Sequence, residues 1–209
     1  MLLSTRRLEL RRFRADDTAV FAAYRSDPEV ARYQSWDAPL SLSDATALVA
    51  EFGAGDPRSP GWFQYAIELR AEPALIGDVG VNLHDNRMQA EIGFSIAPAY
   101  QGHGYATEAL LCVLDHLLAG QGLRRVSAEC DARNLRSARL LERVGFRREG
   151  LRVANTWIKG EWTDDLLFGL LAENWQGRRG GLDVPGDPER HVATPTSGNR
   201  PTRNQQSFR

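Results

Sequence analysis

Residues 101–107 read QGHGYAT, with glycines at 102 and 104. From Gly104 onward Ala106, Ala109, Leu110, Val113, Leu114, Leu117 and Leu118 recur at helical spacing, so the glycines stand where a helix begins. The first N–H groups of a helix have no partner inside it and sit at the positive end of its dipole, which makes such a start a natural site for an anion. The chemistry this spacing points to is phosphate binding by the main chain, with Thr107 adding a hydroxyl and the small residues letting the ligand come close. Just upstream, Ile92, Phe94 and Ile96 alternate with Glu91, Gly93 and Ser95 at the period of a strand, and Pro98 removes a ladder donor, so this strand ends near Ala97.

That stretch resembles the pyrophosphate loop of the GNAT family of acyl-CoA-dependent N-acetyltransferases: Gln or Arg, two residues, Gly, one residue, then Gly or Ala. Gln101, Gly104 and Ala106 match it. Residues 134–146, NLRSARLLERVGF, are similar to the N-x-x-S helix ending in G-F of the RimJ/RimL-like branch. The resemblance extends from about residue 75 to 175; the N-terminal third fits only loosely. It implies an α/β (α+β) fold, a central, mostly antiparallel mixed sheet splayed at the cofactor site and flanked by helices. The implied activity is transfer of an acetyl group from acetyl-CoA, as cosubstrate, to a primary amine by direct attack, without a metal. A protein N-terminus and a small-molecule amine both fit the acceptor role.

The family pattern also implies roles for residues. Gln101, Gly102, His103, Gly104, Tyr105, Ala106 and Thr107 would cradle the pyrophosphate. Phe94, Ser95 and Ile96 would offer backbone groups to pantetheine where their strand splays from the strand of residues 125–131, one N–H facing the oxyanion. Asn134 would reach the cofactor through its amide, cap the helix starting at Leu135, or do both. Glu91 resembles the position of a general base, against the alternative of a solvated or salt-bridged strand residue. The family's frequent acid is a Tyr where this chain has Leu141, and Ser137 is the substitute hydrogen-bond donor to the departing sulfur, or a small residue permitting close packing. Tyr24, Tyr33, Trp36 and Trp157 either shape an acceptor pocket or belong to the core.

The elements that must position these groups can be read along the chain. Residues 7–13 alternate as a first strand, Asp16 or Asp17 caps a helix carrying Val20, Phe21 and Tyr24, and Asp27-Pro28 restarts a short helix. Residues 41–52 form another helix, capped by Ser41 or Ser43, with Leu48, Val49 and Phe52 inward. Residues 62–69 and 75–83 are strands of a hairpin leading into the strand of Glu91, an antiparallel meander. After the glycine-loop helix, stopped by Gly120 and Gly122, come a strand at 125–131, a helix at 135–144 and a final hairpin turning at Lys159-Gly160.

With 209 residues and 42% apolar composition the chain suits one domain, expected over 1–175. From Gln176 the sequence is rich in Gly, Pro, Arg and polar residues and is expected to be disordered to 209. A net charge of -1 gives no electrostatic footprint for nucleic acid, and every basic residue but Lys159 is Arg. No membrane-length apolar run or secretory leader is visible, so the cytoplasm is the expected compartment. Cys112 and Cys130 lack metal-ligand spacing and read as reduced packing residues. Exposed edges in the final hairpin allow a monomer or a homodimer. Two other readings exist. GHGYAT partly matches a dinucleotide loop with Asp131 further on, but a meander precedes it and the third glycine is missing. A non-catalytic acyl-CoA-binding or sensor module is supported by the missing Tyr alone.

Overall fold

A computed structural model describes residues 2–179. Its sheet has eight strands: β1 (Leu3–Ser4), β2 (Leu8–Arg11), β3 (Gly61–Leu69), β4 (Leu75–Leu83), β5 (Gln89–Ile96), β6 (Arg125–Asp131), β7 (Arg147–Ile158) and β8 (Glu161–Leu171). They lie in the order β1-β2-β3-β4-β5-β6-β8-β7. Every neighbouring pair is antiparallel except β5 and β6. This is the mixed α/β sheet expected, and a single parallel pair removes the dinucleotide-fold alternative, which needs a parallel series.

Helices cover both faces. On one, α4 (Tyr105–Asp115) and α5 (Leu135–Val144) bury Leu110, Val113, Leu114, Leu141 and Val144 against Ile92, Val126 and Phe168. On the other, α1 (Thr18–Ser26) and α3 (Leu42–Ala54) bury Phe21, Tyr24 and Val49 against Ala66 and Leu75, with α2 (Pro28–Ala31) between them in sequence. Each fully buried large apolar side chain here contributes roughly 1.5–3 kcal/mol. A π-helical turn, His116–Gly120, follows α4, and α6 (Ala172–Arg179) seats Trp175 against it, its indole donating to Asp115 Oδ1 at 3.2 Å.

Several local expectations are corrected. The strand expected at 7–13 is the second strand, shorter at Leu8–Arg11; the two-residue β1 before it is too short to leave a periodic signal. Neither Asp16 nor Asp17 caps α1 through its side chain: Asp17 is buried and binds the Arg11 guanidinium at 2.7 and 2.8 Å, which claims the carboxylate more strongly than a helix end would. Of the helical residues Val20, Phe21 and Tyr24, Val20 is 45% exposed, and Phe21 and Tyr24 belong to the buried stripe. Ser41 does cap α3, accepting from Asp44 N at 3.0 Å. The tail expected from Gln176 lies, from residue 180 on, outside the described residues, and α6 carries the backbone as far as Arg179.

Candidate active site

The parallel pair is where the sheet opens. β5 and β6 are in register only over residues 89–91 and 125–127, and residues 92–96 and 128–131 then run on without pairing to each other. Ala97 N donates to Ile76 O of β4, so by the alternation of an antiparallel ladder the main-chain groups of Phe94 and Ile96 face the parted side. A cavity of about 970 Å³ opens there. Phe94, Ser95 and Ile96 line it, with Gln101, Gly102, Gly104, Tyr105, Ala106 and Thr107 on one wall and Asn134 and Ser137 on the other. His103 does not line the cavity; its ring stacks beside Tyr105.

The glycine wall takes its shape from two backbone constraints. Gly102 and Gly104 have φ of +79° and +80°, a region a β-branched residue adopts only with strain, and Gly104 is the N-cap of α4. Gln101 turns its amide inward and donates to Ile96 O at 2.9 Å, tying the loop to the open side of β5. A clasp not legible in the sequence holds the loop from the other side. Arg7 donates to His103 O at 3.0 Å, lies 4.5 Å from the Tyr105 ring centre and pairs with Glu108 at 2.6 Å. Burial pushes the Glu108 carboxyl up, but hydrogen bonds from Thr5 and Arg7 outweigh it and hold the carboxyl below the ordinary carboxylate range. A carboxylate with a depressed pKa adds stability above its unfolded value of about 4.3 that disappears as acid protonates it. The clasp is therefore intact at neutral pH, and Arg7→Ala is expected to weaken ligand binding to this loop by about three- to tenfold, measurable by calorimetry, with folding preserved.

Asn134 caps α5, its Oδ1 accepting from Ser137 N at 3.1 Å, while its Nδ2 makes no hydrogen bond among the described residues. The same holds for the Ser137 hydroxyl, so this wall presents two uncommitted polar groups to the cavity. Leu141 is 1% exposed in the core and offers no proton.

Glu91 is not in the cavity lining. It stands at the last β5–β6 pair, opposite Ser127, and across β4 from Asn82, half-buried at the point where the strands part. Burial pushes its carboxyl up, Glu129 adds to this, and His84 and Arg152 oppose it. A carboxyl with a raised pKa is better matched to taking a proton from an ammonium than an ordinary surface Glu.

Below Ser95 lies a second feature that sequence patterns did not reveal. Asp78 of β4 pairs with Ser95 in the β4–β5 register and is 1% exposed. It accepts from Tyr24 Oη at 2.5 Å, Arg25 at 3.0 Å and Gln64 at 3.1 Å. Arg25 in turn lies 3.8 Å from the Trp36 ring centre and its Nε is buried without a partner. Burial, then Asp78, holds the Tyr24 hydroxyl protonated well above the ordinary tyrosine range. Of the aromatic residues expected near an acceptor, Tyr24 and Trp36 thus belong to this network, Tyr33 lines the cavity, and Trp157 is exposed and packed on Trp162.

A parted parallel pair of strands thus lies between two helix starts, one of them entered through two glycines of positive φ. The model of the Acetyltransferase (GNAT) domain matches residues 7–147, and the chain belongs to the GNAT acetyltransferase family. Among its relatives, the uncharacterized N-acetyltransferase YnaD of Bacillus subtilis (strain 168) is 31% identical over 84% of this chain and 99% of its own length. The [Ribosomal protein uS5]-alanine N-acetyltransferase of Escherichia coli (strain K12) is 34% identical over 40% of this chain and 43% of its own, in keeping with the RimJ/RimL-like branch. Among solved structures, spermidine N-acetyltransferase of Vibrio cholerae, in complex with CoA and spermine, superposes with a TM-score of 0.70 at 22% identity over 81% of this chain and 98% of that one.

Proposed function

We propose that the protein transfers the acetyl group of acetyl-CoA to a primary amine, on a protein N-terminus or a small molecule, by direct attack. The observation that carries this reading is the parting of β5 from β6 at Phe94 to Ile96, beside the α4 cradle and the free polar groups of Asn134 and Ser137. The cradle N–H groups suit the pyrophosphate, and the parted strand edge suits an extended amide chain such as pantetheine. The neutral amine nitrogen bonds to the thioester carbonyl carbon, the C–S bond breaks with its electron pair on sulfur, and the proton that the nitrogen then sheds passes to the departing thiolate, giving the amide and free CoA thiol. Glu91 takes the ammonium proton, directly or through one water, a main-chain N–H of β5 faces the oxyanion, and the Ser137 hydroxyl donates to the departing sulfur. No helix among the described residues is long and apolar enough to cross a membrane, and the proposed setting is the cytoplasm, as a monomer or homodimer.

The test is thiol release from acetyl-CoA across a panel of primary amines and peptides. Acceptor-dependent release is expected. Binding of acetyl-CoA with no release on any acceptor would make the protein a sensor module instead. Gly104→Val adds a branched side chain at φ +80°, and is expected to weaken acetyl-CoA binding at least tenfold in a folded variant. Unchanged affinity would remove the loop from the site.

A further inference from the structure

The α5 wall of the cavity carries more positive charge than a pyrophosphate held by main-chain groups requires. Arg136, Arg139 and Arg143 all line it, at spacings of three and four that place them along one exposed face of α5. Two further arginines of the lining, Arg32 and Arg133, have acidic partners: Arg32 faces Glu29 at 4.0 Å, and Arg133 is paired with Asp131 and Glu161 at 2.6 and 2.8 Å. Neither Arg136 nor Arg139 makes an ion pair among the described residues, although Glu142 stands three positions from Arg139. Arg136 also lies in the first turn of α5, which holds no acidic residue, so the helix carries a cation at the end where its own dipole repels one. A locally unfavourable charge directed at a cavity is best explained by an anion that offsets it. Arg143 fixes the side of the cavity concerned, since its guanidinium reaches Thr107 Oγ1, in the first turn of α4, at 3.5 Å.

Resting on the acetyl-CoA reading above, we infer that Arg136, Arg139 and Arg143 form a subsite for a second phosphoryl group of the cosubstrate, the 3′-phosphomonoester on its ribose. The pyrophosphate is served by N–H groups of the α4 start, and the guanidiniums supply the paired donors that a phosphomonoester dianion accepts. The subsite selects the phosphorylated cosubstrate over its 3′-dephospho form. Because these side chains are exposed, the selection weakens as salt screens it.

Calorimetry on the full chain tests this with acetyl-CoA and 3′-dephospho-acetyl-CoA at low and moderate ionic strength. The expected result is roughly tenfold tighter binding of acetyl-CoA, narrowing with salt. The double variant R136A/R139A should lose about that factor for acetyl-CoA and almost nothing for the dephospho form, with an unchanged melting temperature. R136K/R139K should recover part of it. Equal affinity of the two ligands for the unaltered protein, or equal weakening of both in the double variant, overturns the subsite while leaving the acetyl-CoA reading intact. If neither ligand binds, both readings are overturned.

Discussion

Glu91→Gln is expected to lower turnover by roughly 100- to 10,000-fold, the span of a positioned general base, while acetyl-CoA affinity stays the same. Stability should move the other way. Burial, reinforced by Glu129, raises the Glu91 carboxyl, so the folded chain holds this proton more tightly than the unfolded one. Ionising Glu91 therefore costs the fold stability: the native state is favoured below the unfolded pKa of about 4.3 and loses that advantage as pH rises through the raised folded value. Glutamine removes the cost at neutral pH. The variant should thus melt at or slightly above the temperature of the unaltered protein at pH 8 while losing the acidic limb of its pH–rate profile. A residue retained for packing alone would show the reverse. Normal turnover in Glu91→Gln would move the base elsewhere, with His84 or an ordered water next, and would leave the cofactor cradle untouched.

Asp78→Ala is expected to destabilise the protein by about 3–5 kcal/mol, because it leaves the buried Arg25 guanidinium without its carboxylate. Tyr24→Phe removes only one partner of the network and should cost about 1–2 kcal/mol. Denaturant unfolding of the two variants measures both. A loss below about 1 kcal/mol in Asp78→Ala would mean that water enters and solvates Arg25.

The second half of the fold was legible because each element there carries its own signals. The strand at Arg125–Asp131 and the helix at Leu135–Val144 were placed to the residue, the helix by its Asn134 cap, its apolar stripe and Gly145. The Gln101–Thr107 loop was legible through its glycines. Arg7 was not: it sits among arginines of no distinctive spacing, and its carboxylate partner is 101 residues away in sequence. Asp78 was equally hidden, since a lone acid in an apolar strand gives no sign of which of many distant donors will meet it. The α5 arginines were read only as part of a motif. Their meaning depends on which neighbouring charges are already paired, and pairing is a property of the folded arrangement.

The order of strands around β6 has a consequence for synthesis. The next strand in the chain, β7, does not pair with β6; β8 takes that place and β7 is left outside it. During translation the open edge of β6 must wait until Leu171 has been made, and a nascent chain halted between Asp131 and Glu161 presents that edge to any strand it meets. The far bank of the cavity is thus backed by a strand made late in synthesis, and β8 is the element that covers the edge of β6.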